Sequence, residues 1–200
     1  MTSLSWRTDA RRTFEKRGQP RHQGAACDIG AFERARRRSV GISELAPSSG
    51  GSEAGVLTTF TLTWTHPVAW RQLETLDLRF TGSQGALFAV RFTEDVTSTF
   101  SLLDEEGEVV GTARAGSDVV LQTEGGALDV ARSGFSASGP KDPSVAVTFA
   151  VSFTQAAEGH TYTIELLASD DGGQIEGPDP AGTWRVGPPP PPISLPLLRR

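Results

Sequence analysis

Nucleophilic catalysis needs a base beside the nucleophile, and three histidines could serve: His22, His66 and His160. His22 lies in an arginine-rich stretch. His66 precedes Pro67 where a strand pattern ends, and His160 follows Gly159 in a turn. Each reads as a solvated loop histidine rather than a base. No Gly-x-Ser-x-Gly elbow occurs. Cys27 is the single cysteine, so the sequence offers neither an internal disulfide nor a cysteine-based metal site. Nearby arginines are all that would activate its thiol.

Carboxylates crowd two places. Asp104, Glu105, Glu106 and Glu108 form one group; Asp170, Asp171, Glu176 and Asp179 form the other. A glycosidase pair would flank a cleft with aromatics to hold the sugar, whereas these acids fall in hairpin tips and read as solvated. The alternative is calcium, which takes several oxygen ligands from loops. Asp104, Glu106, Asp170 and Asp171 would then be the ligands, although neither group follows the EF-hand spacing. Trp70, in Val68-Ala69-Trp70-Arg71, follows a proline and sits outside a clear strand. Packing beneath a loop is the plainer reading; stacking of an exposed indole on a sugar ring is the other.

The elements that must position these residues alternate with a period of two. Phe60, Leu62 and Trp64 interleave with threonines, and Leu76, Leu78 and Phe80 with Asp77 and Arg79. Val145, Val147, Phe149, Val151 and Phe153 alternate strictly, as do Tyr162, Ile164 and Leu166. Trp184 and Val186 close the series. Glycine-rich or acidic turns separate the runs, Asp104-Glu105-Glu106-Gly107 among them. No segment has the period of an amphipathic helix. The pattern predicts an all-β sandwich of about seven to nine antiparallel strands over residues 40–187. A chain near this size buries about 70% of its unfolded surface. Residues 46–55, rich in Ser and Gly, read as a connector.

Charge divides the chain. Residues 1–40 hold ten Lys/Arg against four Asp/Glu, a net of +6, and the remainder nine against twenty, a net of −11. The basic segment, residues 1–39, is expected to be poorly ordered. Residues 188–200 form a proline-rich tail whose five consecutive prolines favour a stiff polyproline spacer. An acidic sandwich is not expected to bind nucleic acid. No stretch approaches the length of a membrane span, and Met1 to Phe14 contains no apolar run of a secretion signal.

Two stretches resemble known families. Arg17-Gly18-Gln19-Pro20-Arg21, followed by Cys27-Asp28-Ile29-Gly30-Ala31-Phe32-Glu33, resembles the "CDIGAFE" ending of bacterial right-handed parallel β-helix proteins of the choice-of-anchor Q type. The resemblance covers about residues 8 to 33. It implies β-helix coils upstream of Met1, so the chain is expected to be a truncated piece. It also makes Cys27 a disulfide candidate whose partner is missing. The "TFTLTWTHP", "LLDEEG", "VTFAVSF", "GHTYTIELLASDDGG" and "GTWRV" stretches resemble an Ig-like domain of secreted bacterial proteins, over about residues 42 to 187. That resemblance implies an Ig-like β-sandwich without catalytic residues.

The expectation is therefore a non-catalytic structural or interaction module: an Ig-like spacer or adhesion domain in a secreted or surface-displayed parent protein. Its partners would be other modules of that parent, or surface glycans and proteins. It would not insert into a membrane. No cofactor is expected, with calcium the one alternative. The competing function is a carbohydrate-binding module using Trp70.

Overall fold

The structure, a computed structural model, describes residues 40–188. The readings for residues 1–39 and 189–200, including those for His22 and Cys27, lie outside the described residues.

Alternation builds the first sheet. In β3 (Thr58–Thr65) the side chains of Phe60, Leu62 and Trp64 are buried while the threonines between them face outward. β11 (Ser144–Phe153) repeats the pattern and pairs antiparallel with β3, Phe149 opposite Phe60. β1 (Ile42–Ala46) flanks β3 on its other side. β9 (Gly126–Asp129) and β8 (Val120–Gln122) extend the sheet past β11, and β10 (Gly134–Ser136) also pairs with β11.

The second sheet runs in the order β2 (Ser49–Ser52), β13 (Ile175–Val186), β12 (Thr161–Asp170), β4 (Leu73–Gly82), β5 (Gly85–Thr93), β6 (Thr99–Leu103) and β7 (Val109–Arg114). Its inner face carries Leu76, Leu78, Phe80, Phe88, Val90, Phe92, Ile164 and Leu166, all buried. The two inner faces meet through aromatic rings. Phe80 touches Phe60 with ring centroids 5.4 Å apart and Phe153 at 5.0 Å; Phe100 meets Phe149 at 5.8 Å. Each such ring contact adds about 0.5–1.5 kcal/mol beyond simple burial.

β1, β3, β11 and β9 on one sheet, and β4, β12 and β13 on the other, take the places of strands A, B, E, D and C, F, G of an Ig-like sandwich. Thirteen strands are present among the described residues. The surplus over the expected seven to nine is largely short: β2, β8, β9 and β10 span three or four residues each.

One pairing departs from the expectation. Ser49–Ser52, read as connector, is a strand that pairs parallel with β13. Small residues make this possible. A side chain at Gly50 would strike the Trp184 ring, and one at Gly182 would overlap the Ser48 carbonyl. Trp184 Nε1 in turn donates to Ser52 Oγ at 3.2 Å. The cis Ala46–Pro47 peptide lies between β1 and β2, where the chain crosses from one sheet to the other.

The long strands define two ends. At the His66 end, Val40 N donates to Glu176 Oε2 at 3.3 Å and Val40 O accepts from Trp64 Nε1 at 3.0 Å. At the His160 end, Val186 N donates to His160 O and Gly187 N to Ser52 O, both at 2.9 Å. β12 runs the length between them.

Candidate functional site

At the His66 end, the connector between β3 and β4 tucks beneath the loop before β11. His66 N donates to Pro143 O at 2.8 Å, and Trp70 N to Asp142 O at 2.9 Å. This docking buries His66 to 4% exposure, which corrects the reading of a solvated histidine. Its Nδ1 accepts from Val68 N at 3.2 Å and Ala69 N at 3.3 Å. That nitrogen therefore carries a lone pair, and the ring proton sits on Nε2. Nε2 lies 3.9 Å from Asp170 Oδ2, beyond direct hydrogen-bond length. Asp170 Oδ1 accepts from Gln174 N at 2.8 Å and shapes the β12–β13 turn. Both residues are engaged in holding loops, the first linking β3 to β4 and the second β12 to β13.

Trp70 is also buried, at 2% exposure. Its Nε1 donates to Gly139 O at 2.8 Å, Arg71 covers one face 4.5 Å from the ring centroid, and Phe135 packs at 5.9 Å. The sugar-stacking reading of Trp70 is corrected on this ground, since the indole has no open face. Among the described Phe, Tyr and Trp side chains only Phe135 is exposed, and it leans on Trp70 and Phe92.

Arg71 also pairs with Glu94. Burial pushes the Glu94 carboxyl above its ordinary value; the Arg71 guanidinium opposes this, while Asp171 and Asp95 add to it. Asp95 is held below the usual carboxylate range, first by the Thr97 hydroxyl and then by the Thr97 and Ser98 amides. The three contacts to Asp95 Oδ1 are 2.8, 2.7 and 2.6 Å.

The calcium candidates separate. Asp170 and Asp171 lie at the His66 end, whereas Asp104 and Glu106 occupy the β6–β7 hairpin toward the His160 end. Asp104 Oδ1 accepts from the amides of Glu106 at 3.1 Å and Glu108 at 2.9 Å, fixing its own turn. Glu106 and Asp171 are exposed. The four do not converge on one site, and among the described residues no cluster of three or more His, Cys, Asp or Glu is arranged to hold a metal.

At the His160 end a cleft of about 390 Å³ opens between the β4–β5 hairpin and the segment before β12, with Gln84, Leu87, Glu105, His160 and Tyr162 on its walls. His160 is exposed, as expected of a turn residue, and meets the Tyr162 ring edge-on at 6.4 Å. Tyr162 OH donates to Ala157 O at 3.3 Å, and burial raises the phenol above its ordinary value. A second groove of about 410 Å³ shares Leu87 and Glu105 and adds Asp104, Glu106 and Glu124. These are open, mixed-polarity surfaces rather than an enclosed pocket.

One pair escaped the sequence. Arg91 grips Asp77 through Nε and Nη2, each at 2.7 Å, on the outer face of the second sheet. The Asp77 hydrogen bond raises the arginine further above its ordinary value against the cost of burial. Both residues occupy outward positions of alternating strands, so only the β4–β5 register, which sets Asp77 opposite Arg91, reveals the pair.

Compared with known protein families and with curated proteins, the chain matches none of them.

Proposed function

We propose that residues 40–188 form a non-catalytic, in-line spacer or adhesion module of a secreted or surface-displayed protein. The observation that carries this reading is the path of the chain. It enters the sandwich at the His66 end, where Val40 is tied to Trp64 and Glu176. It leaves at the opposite end, where Val186 and Gly187 are tied to His160 and Ser52. β12 spans ten residues between the ends, or about 33 Å at the usual rise. A module threaded this way separates whatever flanks it.

The residues best equipped for chemistry support the same reading through the work they do. His66, Asp170 and Asp104 each hold backbone amides, and Trp70 anchors a loop carbonyl. The strand arrangement also suits tension. β2 and β13 run parallel; force applied at the two ends draws them in opposite directions along their length and loads their hydrogen bonds together.

Single-molecule pulling tests this. Tension applied through positions 40 and 188 should unfold the sandwich at a higher force than tension applied through Thr99 and Arg114, the paired residues at the open end of the β6–β7 hairpin, which unzips the two strands one pair at a time. Equal or lower resistance along the end-to-end axis would overturn the spacer reading. Labelling of intact host cells with an antibody to the sandwich tests surface display, and staining only after lysis would contradict it.

A further inference from the structure

The two grooves at the His160 end form one channel, since Leu87, Glu105 and Ala156 line both. The channel starts at His160 and Tyr162 and finishes among Asp104, Glu106 and Glu124. Its far half thus gathers four carboxylates around the apolar surface of Leu87 and Ala156. Among the described residues, no lysine or arginine lines either groove. Glu105, Glu106 and Glu124 are exposed, and Asp104 spends Oδ1 on the amides of its own turn.

We propose that this channel seats residues 189–200 of the same chain, lapped across the end of the sandwich. Continuity of the chain supports the choice. Gly159, on the channel wall, donates to Val186 O at 2.9 Å, and a Cβ on Gly187 would lie 3.3 Å from Gly159 N. The chain therefore leaves the sandwich against the near end of the channel. From there the strand order carries the channel away from β13, past β12 and the β4–β5 hairpin to the β6–β7 hairpin. Four strand spacings amount to about 19 Å. The prolines at 188–192 cover about 12 Å of that as polyproline. Eight residues, Ile193–Arg200, remain for the acidic half.

The order of residues in the segment matches the order of surfaces in the channel. Proline-rich stretches dock in grooves walled by aromatic rings, and His160 and Tyr162 stand at the near end. Ile193, Leu195, Leu197 and Leu198 come next, where Leu87 and Ala156 offer apolar surface. Arg199 and Arg200 come last, beside the four carboxylates. Past Arg185 these two are the only cations in the sequence. The contact concerns one end of the sandwich alone and stands apart from the spacer reading.

Paramagnetic broadening of amide resonances in the full 200-residue chain tests the proposal. A nitroxide at Ser194→Cys, with Cys27→Ser, should broaden Leu87, Glu105 and Ala156 and leave Val68 and Ile175, at the His66 end, sharp. Arg199→Glu with Arg200→Glu should weaken that broadening at least about threefold, and high salt should weaken it in the parent. Both arginines lie beyond the sandwich, so neither change touches its core. Adding Glu105→Arg and Glu124→Arg to the reversed tail should restore the broadening. A channel left sharp by the label overturns the proposal, as does broadening that the tail reversal leaves unchanged, the mark of a merely tethered tail. Broadening that passes only between molecules in a mixture would assign the channel to a second copy. Stronger broadening of the same amides from a label on Cys27 would assign it to the basic residues before Val40. Either result also overturns it.

Discussion

Replacing Trp70 by alanine separates a structural indole from a ligand platform. The side chain is 2% exposed, donates to Gly139 O at 2.8 Å, and packs between Arg71 and Phe135. A buried aromatic of this size covers about 200 Å², worth about 5 kcal/mol at 25 cal/mol/Å². Large-to-small substitutions of this kind cost about 3–5 kcal/mol. The expected loss for Trp70→Ala is therefore about 4 kcal/mol, a large share of the 5–15 kcal/mol that stabilises a typical domain. Trp70→Phe keeps most of the ring and loses the N–H donor, for about 1 kcal/mol beyond the lost volume. Urea unfolding followed by circular dichroism reads both. With a slope of about 2 kcal/mol/M, Trp70→Ala should lower the midpoint by about 2 M. An alanine variant within about 0.5 kcal/mol of the parent, accompanied by lost binding to a polysaccharide, would refute the structural role and restore the sugar platform.

Arg91→Ala strands the Asp77 carboxylate at a buried position, so it should cost about 1–3 kcal/mol, whereas replacing both partners by leucine should cost less than either single change; a double-mutant cycle in urea checks this. Stability should also depend on pH through Asp95 and Glu94, with opposite signs. Asp95 is depressed in the fold, so its contribution is full above the unfolded carboxylate range and is lost as pH falls through its folded value. Glu94 is raised, so its unfavourable contribution vanishes below the unfolded value and is complete above the folded one. Asp95→Asn should flatten the acid-side loss, and Glu94→Gln should raise stability more at neutral pH than in acid, both read from urea midpoints across the carboxylate range. Gly182→Ala should loosen β2 from β13, because the added methyl overlaps the Ser48 carbonyl; faster hydrogen exchange at Gly50–Ser52, with the β3–β11 amides unchanged, is the expected signature.

Where side-chain alternation decides the structure, the sequence was legible. Phe60, Leu62 and Trp64 are inward and their threonines outward because burial on one face of β3 allows no other register. The same holds for β11 and β12. β2 was illegible because Ser49–Ser52 has no strand propensity; it is a strand only because Trp184 and Arg185 lie alongside to receive it. The burial of His66 and Trp70 was equally hidden. Both depend on docking against residues 139–143, which are distant in sequence and adjacent only once β3 and β11 pair. The acidic hairpins were recognisable as turns, yet their arrangement at opposite ends follows from strand direction, which composition does not encode.

The claim on which the rest depends is that the chain passes through the sandwich from one end to the other. Spin labels at Ile42→Cys and Pro188→Cys, with Cys27→Ser, measure this directly, since Ile42 and Pro188 are exposed near the two ends. Strand length predicts a separation of about 30 Å. A narrow distribution near that distance is the expected result, and one centred below about 20 Å would place both termini of the sandwich at the same end and contradict an in-line spacer.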